Sequence, residues 1–182
     1  PRNKFNLPII HNPFSDDKIK YFEGVVKVMY DLLIENKVII KPGTQFFLDK
    51  GVNIVFLNKV IALGTKNNPI YFKKLNNNYS SDNNWGSVVL QGNKTKNSEL
   101  ENINLNGGSG GQIDQFIYTS MLSLHDTKDV VLKNITLINN KIYDDALHLV
   151  YCKNISLDNI VIRDAFSDAL DIDISDNILI KN

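Results

Sequence analysis

The chain has one cysteine, one tryptophan, two methionines and three histidines in 182 residues, and its acidic and basic residues cancel at 20 each. A lone Cys152 excludes an internal disulfide, and one thiol beside three histidines argues against a thiolate zinc site. Zero formal net charge removes the general electrostatic reason to expect nucleic acid or an anionic membrane as partner. No apolar run nears the ~20 residues that cross a bilayer, so no membrane span is expected. No leader pattern opens the chain; Pro1-Arg2-Asn3-Lys4 reads as an interior cut. Helical patterns of useful length between strands are missing too, which argues against a βαβ sheet.

Asparagine, by contrast, fills roughly one position in seven. Drift toward Asn, Lys and Ile accounts for this, and so does a fold with many tight turns, because asparagine tolerates left-handed backbone and bonds its own turn. The length suits one domain with a sizeable core. Residues 1–20 carry no clear period, and Asp16 to Leu33 is compatible with a helix or, through Val25, Val26 and Val28, with strands. We therefore expect an N-terminal arm or cap over residues 1–35. From residue 36 onward the pattern is short and β-like: Val38-Ile39-Ile40, Gln45 to Leu48, Val52 to Leu57, Val60 to Leu63 and Ile70 to Phe72, broken by Pro42-Gly43, Asp49-Lys50-Gly51 and Gly64 to Pro69.

An internal repeat organises these strands. Lys133-Asn134-Ile135-Thr136-Leu137 returns 25 residues later as Asp158-Asn159-Ile160-Val161-Ile162, and Glu101-Asn102-Ile103-Asn104-Leu105 is an earlier copy. Leu122-Ser123-Leu124 aligns in the same way with Leu147-His148-Leu149 and Leu170-Asp171-Ile172. Strands this short need neighbours. Coiling them so that each pairs in parallel with its counterpart one coil away supplies those neighbours and buries the alternating leucines. The expectation is all-β: a parallel β-helix over residues 36–182, with Asn102, Asn134, Asn159 and Asn182 forming a ladder at one corner. The Gly-rich stretch 106–116 and residues 76–84 read as loops leaving the coil. The strand at Asn177 to Asn182 predicts either further coils or a stacking subunit beyond it.

Several of these segments look familiar. Pro42-Gly43-Thr44, Ile61-Ala62-Leu63-Gly64-Thr65, Pro69-Ile70-Tyr71-Phe72 and Trp85-Gly86 before Val88-Val89-Leu90 resemble the opening segment of bacterial right-handed β-helix proteins of the pectate-lyase-like superfamily. Asp144-Asp145-Ala146-Leu147-His148-Leu149 and Ser167-Asp168-Ala169-Leu170-Asp171-Ile172-Asp173 resemble β-helix domains of large surface proteins, some joined to CotH-like kinase domains. The likeness spans about residues 36–182. It implies a right-handed single-stranded parallel β-helix and an extracellular or cell-surface setting. It does not imply an activity, because that superfamily mixes lyases, hydrolases, epimerases and adhesion stalks. No Arg-rich strand of the pectate lyase kind is present, and the aspartate pairs lie outside the polygalacturonase context.

One face concentrates chemistry. Ser123, His125, His148, Val150, Asp171 and Asp173 alternate with the leucines, and the preceding turns add Asp144, Asp145 and Asp168. Two carboxylates at about 5 Å repel by roughly 1 kcal/mol in water and more in a protein, so five together need compensation. A divalent cation, taken as Ca²⁺ held by Asp144, Asp145, Asp168, Asp171 and Asp173, is one answer. Turn-capping by the aspartates, with a surface His148–Asp171 ion pair, is another. Acid–base catalysis by Asp145, His148, Asp168, Asp171 and Asp173 is the third. The same five residues with Tyr143 form the candidate ligand face. Two functions follow: a non-catalytic scaffold of a surface, secreted or particle-associated protein that binds polysaccharide or protein, or a polysaccharide-active lyase, epimerase or hydrolase. Carboxylates unbonded to backbone on an open groove favour the enzyme.

Overall fold

A computed structural model describes residues 18–76 and 83–182, and these form an all-β parallel solenoid. The first coil holds β1 (Lys20–Phe22), β2 (Val25–Val28) and β3 (Leu32–Ile34). The second holds β4 (Val38–Ile40), β5 (Gln45–Leu48) and β6 (Ile54–Phe56), and the third β7 (Val60–Leu63), β8 (Ile70–Lys74) and β9 (Val88–Gln91). Each strand pairs in parallel with its counterpart one coil on, as in Lys20 with Val38 and Leu32 with Ile54. Residues 20–34 are thus a coil of the solenoid and neither arm nor helix. Their runs of two or three apolar residues match the strands they pair with, and that pairing overrides the ambiguous local pattern. The part of the expected arm that precedes residue 18 lies outside the described residues, as do residues 77–82 of the second excursion.

From the fourth coil onward two faces fuse into one bent strand. β10 (Glu99–Asn106) pairs with β7 through Glu99 to Glu101 and with β8 through Ile103 to Leu105. After it, β14 (Lys128–Ile138) and β16 (Lys153–Arg163) keep this double length, and β18 (Asp176–Lys181) opens the next coil. Between β7 and β8 the corner takes the residues from Gly64 to Pro69; in β10, β14 and β16 a single asparagine takes their place. Asn102, Asn134 and Asn159 stand at φ 51°, 53° and 53°, a left-handed bend that asparagine adopts more readily than branched residues. Asn159 Nδ2 donates to Asn134 Oδ1 at 2.8 Å, the expected ladder, while Asn102 Nδ2 donates to the Gly64 carbonyl at 2.9 Å. A second ladder runs from Asn177 to Asn154 and from Asn154 to Asp129, with 2.8 Å bonds.

The remaining face is a six-stranded parallel sheet: β3, β6, β9, β13 (Ser120–His125), β15 (Asp145–Val150) and β17 (Leu170–Asp173). Its inner side carries the column Leu32, Ile54, Val88, Leu122, Leu147 and Leu170, with Ile34, Phe56, Leu90, Leu124, Leu149 and Ile172 alongside. The leucines of β13 and β15 are fully buried, each contributing roughly 1.5–3 kcal/mol. Its outer side carries the column Leu33, Val55, Val89, Ser123, His148 and Asp171.

The Gly-rich stretch does more than leave the coil. It feeds an antiparallel hairpin, β11 (Gly111–Ile113) and β12 (Phe116–Tyr118), which folds over the outer side of this sheet. Ile113 and Tyr118 bury against Val55 and Val89, with Leu33 and Leu57 at the margin, forming a second small core. Glycine is needed at 108 because the Trp85 ring lies against its backbone; an added Cβ would sit 2.4 Å from a ring carbon. The neighbouring Ser109 amide bonds the Trp85 and Gly86 carbonyls at 3.1 and 3.0 Å, and its hydroxyl accepts the amides of Ile142 and Tyr143 at 2.7 and 2.9 Å. Glycine here permits close packing, where composition alone pointed to an open loop.

Candidate functional site

Where the hairpin ends, the outer column changes from apolar to ionisable. β12 runs through Tyr118 into Thr119 and then β13, so Thr119 arrives beside the start of β15. Thr119 Oγ1 lies 3.2 Å from Asp145 Oδ2 and 3.2 Å from His148 Nδ1. With Asp145 ionised, the single hydroxyl proton goes to the carboxylate, so Oγ1 accepts from the His148 Nδ1–H, and Nε2 carries a lone pair in the neutral imidazole or a second proton in the imidazolium. That Nε2 points toward the next coil, 3.7 Å from Asp171 Oδ2 and 3.4 Å from Asp173 Oδ2. It is buried and has no hydrogen-bond partner among the described residues. Parallel register sets this meeting: His148 pairs with Asp171 and Val150 with Asp173, so both carboxylates leave β17 on the side from which His148 leaves β15.

The surroundings differ sharply in exposure. The His148 side chain is 12% exposed, against 40% for Asp171 and 57% for Asp173. No hydrogen bond ties the carboxylate of Asp171 or Asp173 to backbone among the described residues. Asp145 is buried at 2% exposure; burial pushes its carboxyl up to about 6, Asp144 and then Asp171 add repulsion, and the Thr119 hydroxyl and His148 pull the other way. Its backbone carbonyl is held by Asn140 Nδ2.

His125 extends the cluster toward the hairpin. Its ring meets Tyr118 edge-on at 5.4 Å and His148 at 5.7 Å. Burial, then His148 when it is charged, lowers its imidazole to about 4, and its Nε2 is a further buried atom without a partner among the described residues. Tyr118 Oη donates to Gln91 Oε1, and burial pushes its phenol up to about 12. His11, the third histidine, lies outside the described residues.

Comparison with protein-family models, with curated proteins and with solved structures finds no match to this chain.

The residues expected from sequence divide into two groups. His148, Asp171 and Asp173 come together, each offering a ligand atom within 4.8 Å of the others, and Asp145 joins through Thr119. Asp144 and Asp168 do not join. Both are exposed, and they meet through backbone, the Ser167 and Asp168 amides donating to the Asp144 carbonyl at 3.0 and 3.2 Å. Exposed Tyr143 sits apart as well, against Gly110 at the base of the hairpin. The five-carboxylate arrangement is therefore not formed, because a turn residue need not follow the strand's alternation and Asp144 and Asp168 turn outward. Thr119, Gln91 and Tyr118 escaped the sequence reading. Thr119 and Tyr118 reach the site through the hairpin, for which the repeat period gives no signal, whereas Gln91 ends β9 in register with His125.

Proposed function

We propose that this chain is a right-handed parallel β-helix domain of a surface or secreted protein, acting as a rigid scaffold whose outer face binds polysaccharide or a protein partner. The right-handed sense follows from the strong preference of parallel connections within one sheet. The resemblance to pectate-lyase-like β-helix proteins points the same way. The observation that carries the binding role is the change across one outer face: Val55 and Val89 are sealed beneath the hairpin, whereas Asp171 and Asp173 stand exposed beside His148 as a charged patch open to a large partner. Binding of the purified chain to a panel of neutral and acidic polysaccharides is the test. Retention by the wild type that is lost in Asp171→Asn/Asp173→Asn supports the reading, and no retention on any polysaccharide removes its carbohydrate part.

A second reading, a polysaccharide-active enzyme, rests on Asp145 and on the freedom of the Asp171 and Asp173 carboxylates from backbone among the described residues, the feature that on sequence grounds favours an enzyme. A buried carboxyl with a midpoint near 6, linked through Thr119 to an imidazole, has the proton affinity of a general acid at near-neutral pH. New reducing ends or unsaturated products from any polysaccharide, abolished by Asp145→Asn, support it. Turnover unchanged in that variant refutes it.

A further inference from the structure

We propose that His148, Asp171 and Asp173 bind a divalent transition-metal cation of the zinc class. The proposal goes beyond the partner-binding reading and does not rest on it.

Three observations converge. The donor set is one imidazole nitrogen and two carboxylate oxygens, mutually within 4.8 Å. Ca²⁺ prefers shells of six to eight oxygens, whereas imidazole suits zinc and its neighbours, so the nitrogen selects against the calcium expected from sequence. Two of the three separations fit too, and the carboxylate oxygens, within 4.8 Å of each other, would draw in on a cation. Bonds of ~2.0–2.2 Å at tetrahedral angles place donor atoms roughly 3.3 Å apart, and His148 Nε2 lies 3.4 and 3.7 Å from the two carboxylates. Finally, Nε2 is buried without a hydrogen-bond partner, while Nδ1 is engaged by Thr119, which in turn bonds Asp145. In the neutral imidazole the Nε2 lone pair faces two carboxylates, which is repulsive unless a cation lies between them. The Asp145–Thr119–His148 chain has the form of the outer-shell support that orients a metal-bound histidine. Asp171 and Asp173 remain open to solvent, which leaves room for water or a partner's oxygen in the remaining positions.

The competing arrangement is an imidazolium paired with both aspartates and no metal, and calorimetry separates the two. Untagged chain, stripped with EDTA, is titrated with Zn²⁺ and separately with Ca²⁺. Co²⁺ loading is followed by visible absorption. The expected result is one Zn²⁺ per chain with a Kd of about 10 μM or tighter, no comparable Ca²⁺ binding, and a Co²⁺ spectrum of low coordination number. Asp171→Asn and Asp173→Asn each weaken Zn²⁺ at least about tenfold, and Thr119→Val weakens it by about 10–100-fold through the support it removes. Circular dichroism checks that these variants fold; Asp173→Glu, which displaces the oxygen while keeping the charge, replaces any that does not. Absence of Zn²⁺ binding by the wild type overturns the proposal. So does equal binding by the aspartate variants, or Ca²⁺ binding as tight as Zn²⁺.

Discussion

Val89 and His148 occupy the same outer column of the same sheet, two coils apart, with Ser123 between them. One lies sealed beneath a hairpin against Tyr118 and Ile113; the other meets two carboxylates at the edge of solvent. The parallel hydrogen bonding that holds the two positions is the same, so the backbone does not distinguish them. The covering hairpin and the side chain at each rung do. A solenoid presents equivalent sites at every coil, and an insertion at one coil turns a uniform face into an apolar, covered half and a polar, open half.

The contrast is broken most severely by placing the charge of one half in the other. Val89→Asp puts a carboxylate under the hairpin with no cation nearby, and urea denaturation is expected to show a loss of about 3–5 kcal/mol. Where the halves meet, pH dependence separates two opposing groups in metal-free protein. Asp145 is raised to about 6 from an ordinary 3.8, so between pH 4 and 6 the folded state keeps a proton that the unfolded chain has released, and stability falls as pH rises. His125 is lowered to about 4 from 6.5, so across nearly the same window the unfolded chain holds the extra proton and stability rises with pH. In the wild type the two largely cancel. Asp145→Asn leaves a rise of about 2–3 kcal/mol from pH 4 to 7, and His125→Gln leaves a fall of similar size. Thermal melts across that range, in EDTA, read both slopes.

A gentler change sharpens the covered half. Tyr118→Phe keeps the ring that caps Val55 and Val89 but removes the hydrogen bond to Gln91, and is expected to cost about 1 kcal/mol in the same denaturation. The smallest effect belongs to the open half. Asp171→Val, the reverse of the first exchange, is expected to shift metal-free stability by no more than about 0.5 kcal/mol, since its carboxylate is half in solvent. A loss comparable to that of Val89→Asp would mean that the two halves are not different in kind.

Much of the fold was legible before any coordinates. Leu122, Leu147 and Leu170 are axial neighbours as their alignment in the repeat implied, and Asn134 and Asn159 turn corners with left-handed backbone. The candidate site was only partly legible. His148 over Asp171 follows from register, and Asp173 two residues along the same strand follows from alternation. Asp144 and Asp168 misled because turn residues sit outside both rules. The first coil at residues 20–34 was left open between helix and strand because its strands, as short as those of the second coil, lack turn signals as clear as Pro42-Gly43 and Asp49-Lys50-Gly51 between them.

By itself the sequence determined the stacking: an apolar residue at every second position, repeated near two dozen residues on, has no better way to leave water than to lie over its own copy. Only the tertiary structure decided what covers the outer face and which hydroxyl holds His148. Gly108 against Trp85, Tyr118 over Val89 and Thr119 between Asp145 and His148 join parts of the chain that no repeat relates. Contacts of that kind depend on where an excursion lands, and that is set by packing against neighbouring coils.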